Sequence, residues 1–111
     1  MLPLRFSDLS PHRQAFVREC QQIGFGAIHR LSIVAAEPVF SEETEVLLDL
    51  KLDGDDRPRP EHALSDFALC AEIVRLFAEL EVIREGVIEN VEVRAGVPRR
   101  IAIKISPLSH R

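Results

Sequence analysis

The chain has 111 residues, 46% of them apolar, which is enough to close one hydrophobic core and too hydrophobic for a disordered polypeptide. A formal charge of −4 argues against a general nucleic-acid coat, while leaving room for a local basic patch. No apolar run approaches the ~20 residues of a membrane span, and Met1–Arg5 lacks the regions of a signal peptide, so the expectation is a cytoplasmic protein without membrane contact.

Residues 1–9 read as a lead-in. Ser10-Pro11 then marks a helix start, because serine can cap free amides and proline is pre-set for the first helical position. Phe16, Cys20 and Ile23 follow at spacings of four and three, one apolar stripe, and Gly24 and Gly26 end the helix. From Ala27 to Val34, Leu31 and Ile33 nearly alternate with Arg30 and Ser32, which predicts a strand. Ala35-Ala36-Glu37-Pro38 turns the chain into Val39-Phe40.

Residues 45–52 predict a clearer strand. Val46, Leu48, Leu50 and Leu52 face one way; Glu45, Asp49 and Lys51 face the other, with Leu47 the exception. Asp53-Gly54-Asp55-Asp56 stops it, and the proline-rich stretch Arg57-Pro58-Arg59-Pro60 predicts an extended surface loop inside one domain. A second helix is expected from about Pro60 or Ser65 to Ile83. It carries two stripes: Phe67, Cys70/Ala71, Val74 and Phe77/Ala78 on one, and Leu69, Ile73, Leu76 and Leu80 on the other. So wide an apolar surface needs cover on more than one side, from the first helix or from a second subunit.

The chain then repeats itself. Residues 86–98 match residues 26–38 without a gap, with identical Gly26/Gly86, Ile28/Ile88, Ala35/Ala95 and Pro38/Pro98. The preceding helices share the register, Phe16 over Leu76, Cys20 over Leu80 and Ile23 over Ile83. These observations predict a single α+β domain with two helices on one face of a mostly antiparallel sheet of about five strands. It would consist of two helix–strand–strand units, about 10–40 and 65–106, with the extra strand 45–52 and the loop 53–60 between them.

A helix, a glycine, alternating β-branched residues, the turn Ala95-Gly96 and a strand ending Ile101-Ala102-Ile103-Lys104-Ile105 resemble the YezD-like family of very small uncharacterised bacterial proteins. The resemblance covers residues 70–105 best and the first unit less well. It departs at the turn, where that family has a pattern like Asp-Gly. It implies the fold and brings no catalytic residue with it.

Chemistry is sparsely signalled. Cys20 and Cys70 form no CxxC and read as reduced thiols, not a disulfide. His12, His29, His62 and His110 are widely separated and lack metal-ligand spacing, so neither metal nor cofactor is expected. His29 and Glu89 occupy equivalent repeat positions and could couple in a small-ligand pocket, against the plainer reading of two polar residues at a strand margin. Asp49, Asp53, Asp55 and Asp56 supply oxygen ligands without a calcium loop's spacing. No Gly-x-Ser-x-Gly elbow or activated cysteine occurs, so an enzyme is the least supported class.

The expectation is therefore a non-enzymatic protein-interaction or self-association module, with a homo-oligomer or another protein as partner. Its interface is assigned to Leu69, Ile73, Leu76 and Leu80. The alternative is a small nucleic-acid-associated regulator that contacts phosphate through Arg57, Arg59, Arg99, Arg100 and Lys104. A small-ligand binder near His29 and Glu89 is the further alternative.

Overall fold

A computed structural model describes residues 5–52 and 66–104. A short 3-10 turn at Phe6–Asp8 leads into α1 (Pro11–Ile23), β1 (Gly26–Val34), β2 (Glu37–Val39) and β3 (Glu45–Leu48). After residue 66 come α2 (Ala71–Ile83), β4 (Gly86–Arg94) and β5 (Val97–Ile103). The strands form one antiparallel sheet in the order β2-β1-β4-β5, with β3 also paired to β1. The expected α+β architecture with about five strands is what the chain forms.

Local chemistry explains the element ends. The Ser10 hydroxyl accepts the Arg13 amide, and Pro11 opens α1. After α1 the chain reverses at Gly24 (φ 69°, ψ −73°), with the Phe25 amide donating to the Ile23 carbonyl. This is the strained form of γ-turn, which glycine enters most readily. Arg84 makes the same turn after α2 (φ 67°, ψ −54°), with Glu85 donating to Ile83.

The bounds of α1 and α2 differ by 60 positions, as do those of β1 and β4. The central β1–β4 ladder obeys the same offset. Ile28 pairs with Val91 while Leu31 pairs with Ile88, each pair being the other with its strands exchanged. Likewise the Gly96 amide donates to the Gly24 carbonyl, and the Ala36 amide to the Arg84 carbonyl. An approximate dyad thus crosses the middle of the ladder, where neither His29–Arg30 nor Glu89–Asn90 interrupts the inward placing of the flanking pairs. Inward pointing shifts by one residue there, so Ile28, Leu31 and Ile33, with Ile88, Val91 and Val93, all face the helices.

The core lies between sheet and helices and draws on both halves of the chain. Phe16, Val17 and Cys20 of α1 and Ile73, Leu76, Phe77 and Leu80 of α2 are buried there, with Phe16 edge-on to Phe77. Phe6 stacks on Phe67, and Arg18 lies over the Phe6 ring. Arg13 is the one buried cation among the described residues. It donates to the Ala36 carbonyl and the Glu81 carboxylate, and its guanidinium lies 5.0 Å from the Phe77 ring centroid. Its Nε is 3.3 Å from Glu37 Oε2 without the alignment of a hydrogen bond. Glu37 also accepts from the Ser10 hydroxyl.

Three sequence expectations are corrected. The second helix starts at Ala71, not at Pro60 or Ser65, with Cys70 in extended conformation as its N-terminal flank. Phe67 therefore precedes the helix and joins the core through Phe6 instead of through a helical stripe. The strand expected over 45–52 ends at Leu48, because β1 starts at Gly26, opposite Leu48, and offers no strand beyond it. Loop 53–60 lies outside the described residues.

Candidate functional site

The stripe Leu69, Ile73, Leu76 and Leu80, assigned from sequence to a partner, is turned inward. Ile73, Leu76 and Leu80 are buried within their own chain and Leu69 packs on the core. The rest of the core covers what periodicity left open, so Ile73, Leu76 and Leu80 have no surface to offer and Leu69 is only partly exposed. The expected stripe was too long, since Leu69 precedes the helix, and its cover was misassigned.

The apolar surface that does stay open is on β3. In an antiparallel pair, directly opposite residues share a face. Val46 lies opposite Ile28 and Leu48 opposite Gly26, on the helix side of the sheet, while Leu47 lies opposite Ala27 on the bare side. Yet Leu48 is 56% exposed and Leu50, just beyond it, 67%. Val46 and Leu47 are exposed as well, and Leu52 is almost fully so. α1 approaches β3 without covering these side chains, so an alternation of the kind that normally buries one face leaves Val46, Leu47 and Leu48 exposed.

The same segment is an edge in the hydrogen-bonding sense. Among the described residues β3 pairs only with β1. The Asp49 amide donates to the Phe25 carbonyl at 2.7 Å, so with a period of two residues 45, 47 and 49 turn their amides inward. Residues 46 and 48 then present theirs outward. Arg30 braces the approach to the strand: its guanidinium pairs with Glu45 at 2.7 Å and donates to the Glu43 carbonyl. The opposite edge differs in kind. There β5 carries Pro98, which has no amide, and the charged Arg99 and Arg100, with Lys104 just after it.

The arginine patch is only partly assembled. Arg57 and Arg59 lie outside the described residues. A shallow hollow of about 500 Å³ brings Arg99 and Arg100 together with Arg94 and Glu92. Arg99 is paired with Glu72 at 2.7 Å and Arg94 with Glu92 at 3.5 Å. Arg100 has no carboxylate partner among the described residues, and Lys104 is exposed at the end of β5. The Glu72 carboxyl sits below its ordinary pKa range, held there first by a backbone amide of its helix N-terminus and also by Cys70 and Arg99.

His29 and Glu89 do not form a couple. The strand neighbours of His29 are Asn90 and Glu45, and no hydrogen bond joins it to Glu89, which is exposed. A cleft of about 620 Å³ is lined instead by Ala27, Leu47, Asn90, Glu92 and Arg100. Among the described residues no cluster of histidine, cysteine and carboxylate side chains could hold a metal ion. Cys20 is fully buried, and burial pushes its thiol far above the ordinary range, away from nucleophilic use. Both cysteines are free.

No family model, curated protein or solved structure matches this chain. Among the described residues, no helix is long and apolar enough to cross a membrane.

Proposed function

We propose that this chain is a non-enzymatic protein-interaction module whose docking element is the outer edge of β3. One observation carries the reading: the apolar segment from Val46 to Leu50 stays exposed, and among the described residues the outer edge of β3 has no strand to pair with. Such an edge accepts an added strand, with main-chain hydrogen bonds supplying affinity and the exposed side chains supplying fit. Panning a random-peptide display library against the folded chain tests it. The expected binders are extended segments with alternating apolar residues, and their NMR footprint falls on residues 45–50. Binders that map to other surfaces, or that survive replacement of both Leu48 and Leu50 by lysine, would sink the proposal.

A second reading, phosphate contact by the Arg94, Arg99 and Arg100 hollow, has a specific observation behind it as well. Two of these three arginines already face a carboxylate, which leaves one uncompensated cation. Nucleic-acid binding through it should weaken as salt rises with the shallow slope of about one phosphate contact. A steep slope would demand other basic residues.

A further inference from the structure

We infer that the cleft on the bare side of the sheet binds a short zwitterionic peptide, with its carboxylate on Arg100 and its ammonium group on Asp49. This site does not rest on the reading of β3 as a docking edge.

The pairing registers build the cleft. Leu47, Ala27, Glu92 and Arg100 stand opposite one another across β3, β1, β4 and β5, so their side chains form one row on the bare side. The next row runs Glu45, His29, Asn90 and Ala102. Ala27 and Ala102 are the two short side chains in these rows, and both line the cleft of about 620 Å³ that their longer neighbours wall in. Phe25 and Leu47, 40% and 54% exposed, make its apolar end. Asp49 lines that end too, one residue past β3, where its amide donates to the Phe25 carbonyl at 2.7 Å. Arg100 lines the far end.

The charges define what fits. Glu92 and Arg94 face each other at 3.5 Å and offset one another. Among the described residues, that leaves Asp49, Asn90 and Arg100 as the polar side chains of the cleft with neither a hydrogen bond nor an ion pair. One negative and one positive charge on opposite walls, with an amide on a strand between them, match a molecule that carries both charges and a peptide group between. A bare anion would meet the carboxylates of Asp49 and Glu92 as well as Arg100, and a plain hydrocarbon would use none of the three free groups. Three strand spacings, about 14 Å in all, separate the walls, and the reach of the arginine side chain takes up part of that. The remainder fits two or three extended residues at roughly 3.3 Å each, with an apolar side chain against Phe25 and Leu47.

The test titrates the full chain with trileucine and follows the backbone amides by NMR. Those of Ala27, Asn90 and Ala102 should shift together. Arg100→Gln should weaken binding about fivefold, the loss of one exposed ionic contact. Trileucine amide, which lacks the carboxylate, should bind wild type as weakly as trileucine binds that variant, and Arg100→Gln should cost it nothing more. Asp49→Asn and N-acetyl-trileucine should form the matching pair at the other end. Ala102→Leu, at an exposed position, should fill the trough and abolish binding while circular dichroism stays unchanged. Amides that stay still under trileucine, or capped peptides that bind as well as the free one, overturn the proposal. Inorganic phosphate that moves the same amides as strongly would make this an anion site only, which also overturns it. Shifts confined to Val46 and Leu48 would seat the peptide on the β3 edge, overturning this site while supporting the docking-edge reading.

Discussion

Gly26 and Gly86 occupy the same place after their helices and have the same φ of 159°, yet replacing each by alanine should have different consequences. A methyl group on Gly26 would sit 1.9 Å from the Leu47 carbonyl oxygen, in the backbone of β3. At Gly86 the nearest described atom to that methyl is the Ile83 Cγ2 at 3.7 Å, an ordinary contact. Because the backbone conformation is shared, its cost cancels when the two variants are compared, and what is left is the collision. Relieving it requires β3 to move outward by more than 1 Å or to detach, which breaks the hydrogen bonds between Ala27 and Leu47 and their neighbours. Two or three such bonds, at about 1 kcal/mol net each, predict that Gly26→Ala is less stable than Gly86→Ala by roughly 2–3 kcal/mol. Urea denaturation with a common slope measures the difference, and hydrogen exchange at residues 45–49 locates it. Equal stabilities for the two variants, or protection at 45–49 unchanged in Gly26→Ala, would refute the reasoning.

Arg13→Ala should destabilise the fold by about 3 kcal/mol in chemical denaturation, since it leaves the Ala36 carbonyl and the Glu37 carboxylate without their buried cation. Leu76→Asp should abolish cooperative folding instead of producing a soluble monomer, because the new carboxylate would lie in the core beside Ile73 and Leu80; a sharp thermal transition would contradict this. Arg84→Gly should raise stability by about 1 kcal/mol, since it relieves the same strained turn that Gly24 occupies and gives up only an exposed pair with Glu81. Asp66 should titrate at about 2, lowered first by the Arg5 guanidinium and then by the Ser7 amide. A carboxyl depressed in this way contributes stability that is present above its ordinary value near 4 and is lost as pH falls toward 2. Carbon-detected NMR of the Asp66 carboxyl should follow that fall, and Asp66→Asn should remove the response from the Ser7 amide.

Most of the scaffold was legible in the residues themselves. Ser10-Pro11, the Phe16–Cys20–Ile23 stripe and the Gly24 stop are local signals, and they sit where the chain uses them. The start of α2 was not, because Phe67 and Leu69 continue the helical spacing by coincidence, while Phe67 stacks on Phe6 ahead of the helix. Burial was harder still. Periodicity shows that Ile73, Leu76 and Leu80 need cover, but which surface supplies it is a question of how two helices meet, which is non-local. The exposed edge was half-visible: Val46, Leu48 and Leu50 announced a face to be buried, and only the fold shows that α1 approaches β3 without covering them. The pairing of Arg99 with Glu72 was likewise invisible, since 27 residues separate them and no pattern links them.

The 60-residue spacing across the central ladder also governs how fast the molecule can assemble. Hairpins β1–β2 and β4–β5 close across two-residue turns and need little search, and each helix is adjacent in sequence to its own hairpin. The pairing of β1 with β4 joins residues far apart along the chain, so the loop-closure entropy falls on that one event. Folding speed should therefore respond to substitutions at Ile28, Leu31, Ile88 and Val91 through the rate of collapse, while changes at the outer strands act chiefly on the rate of unfolding.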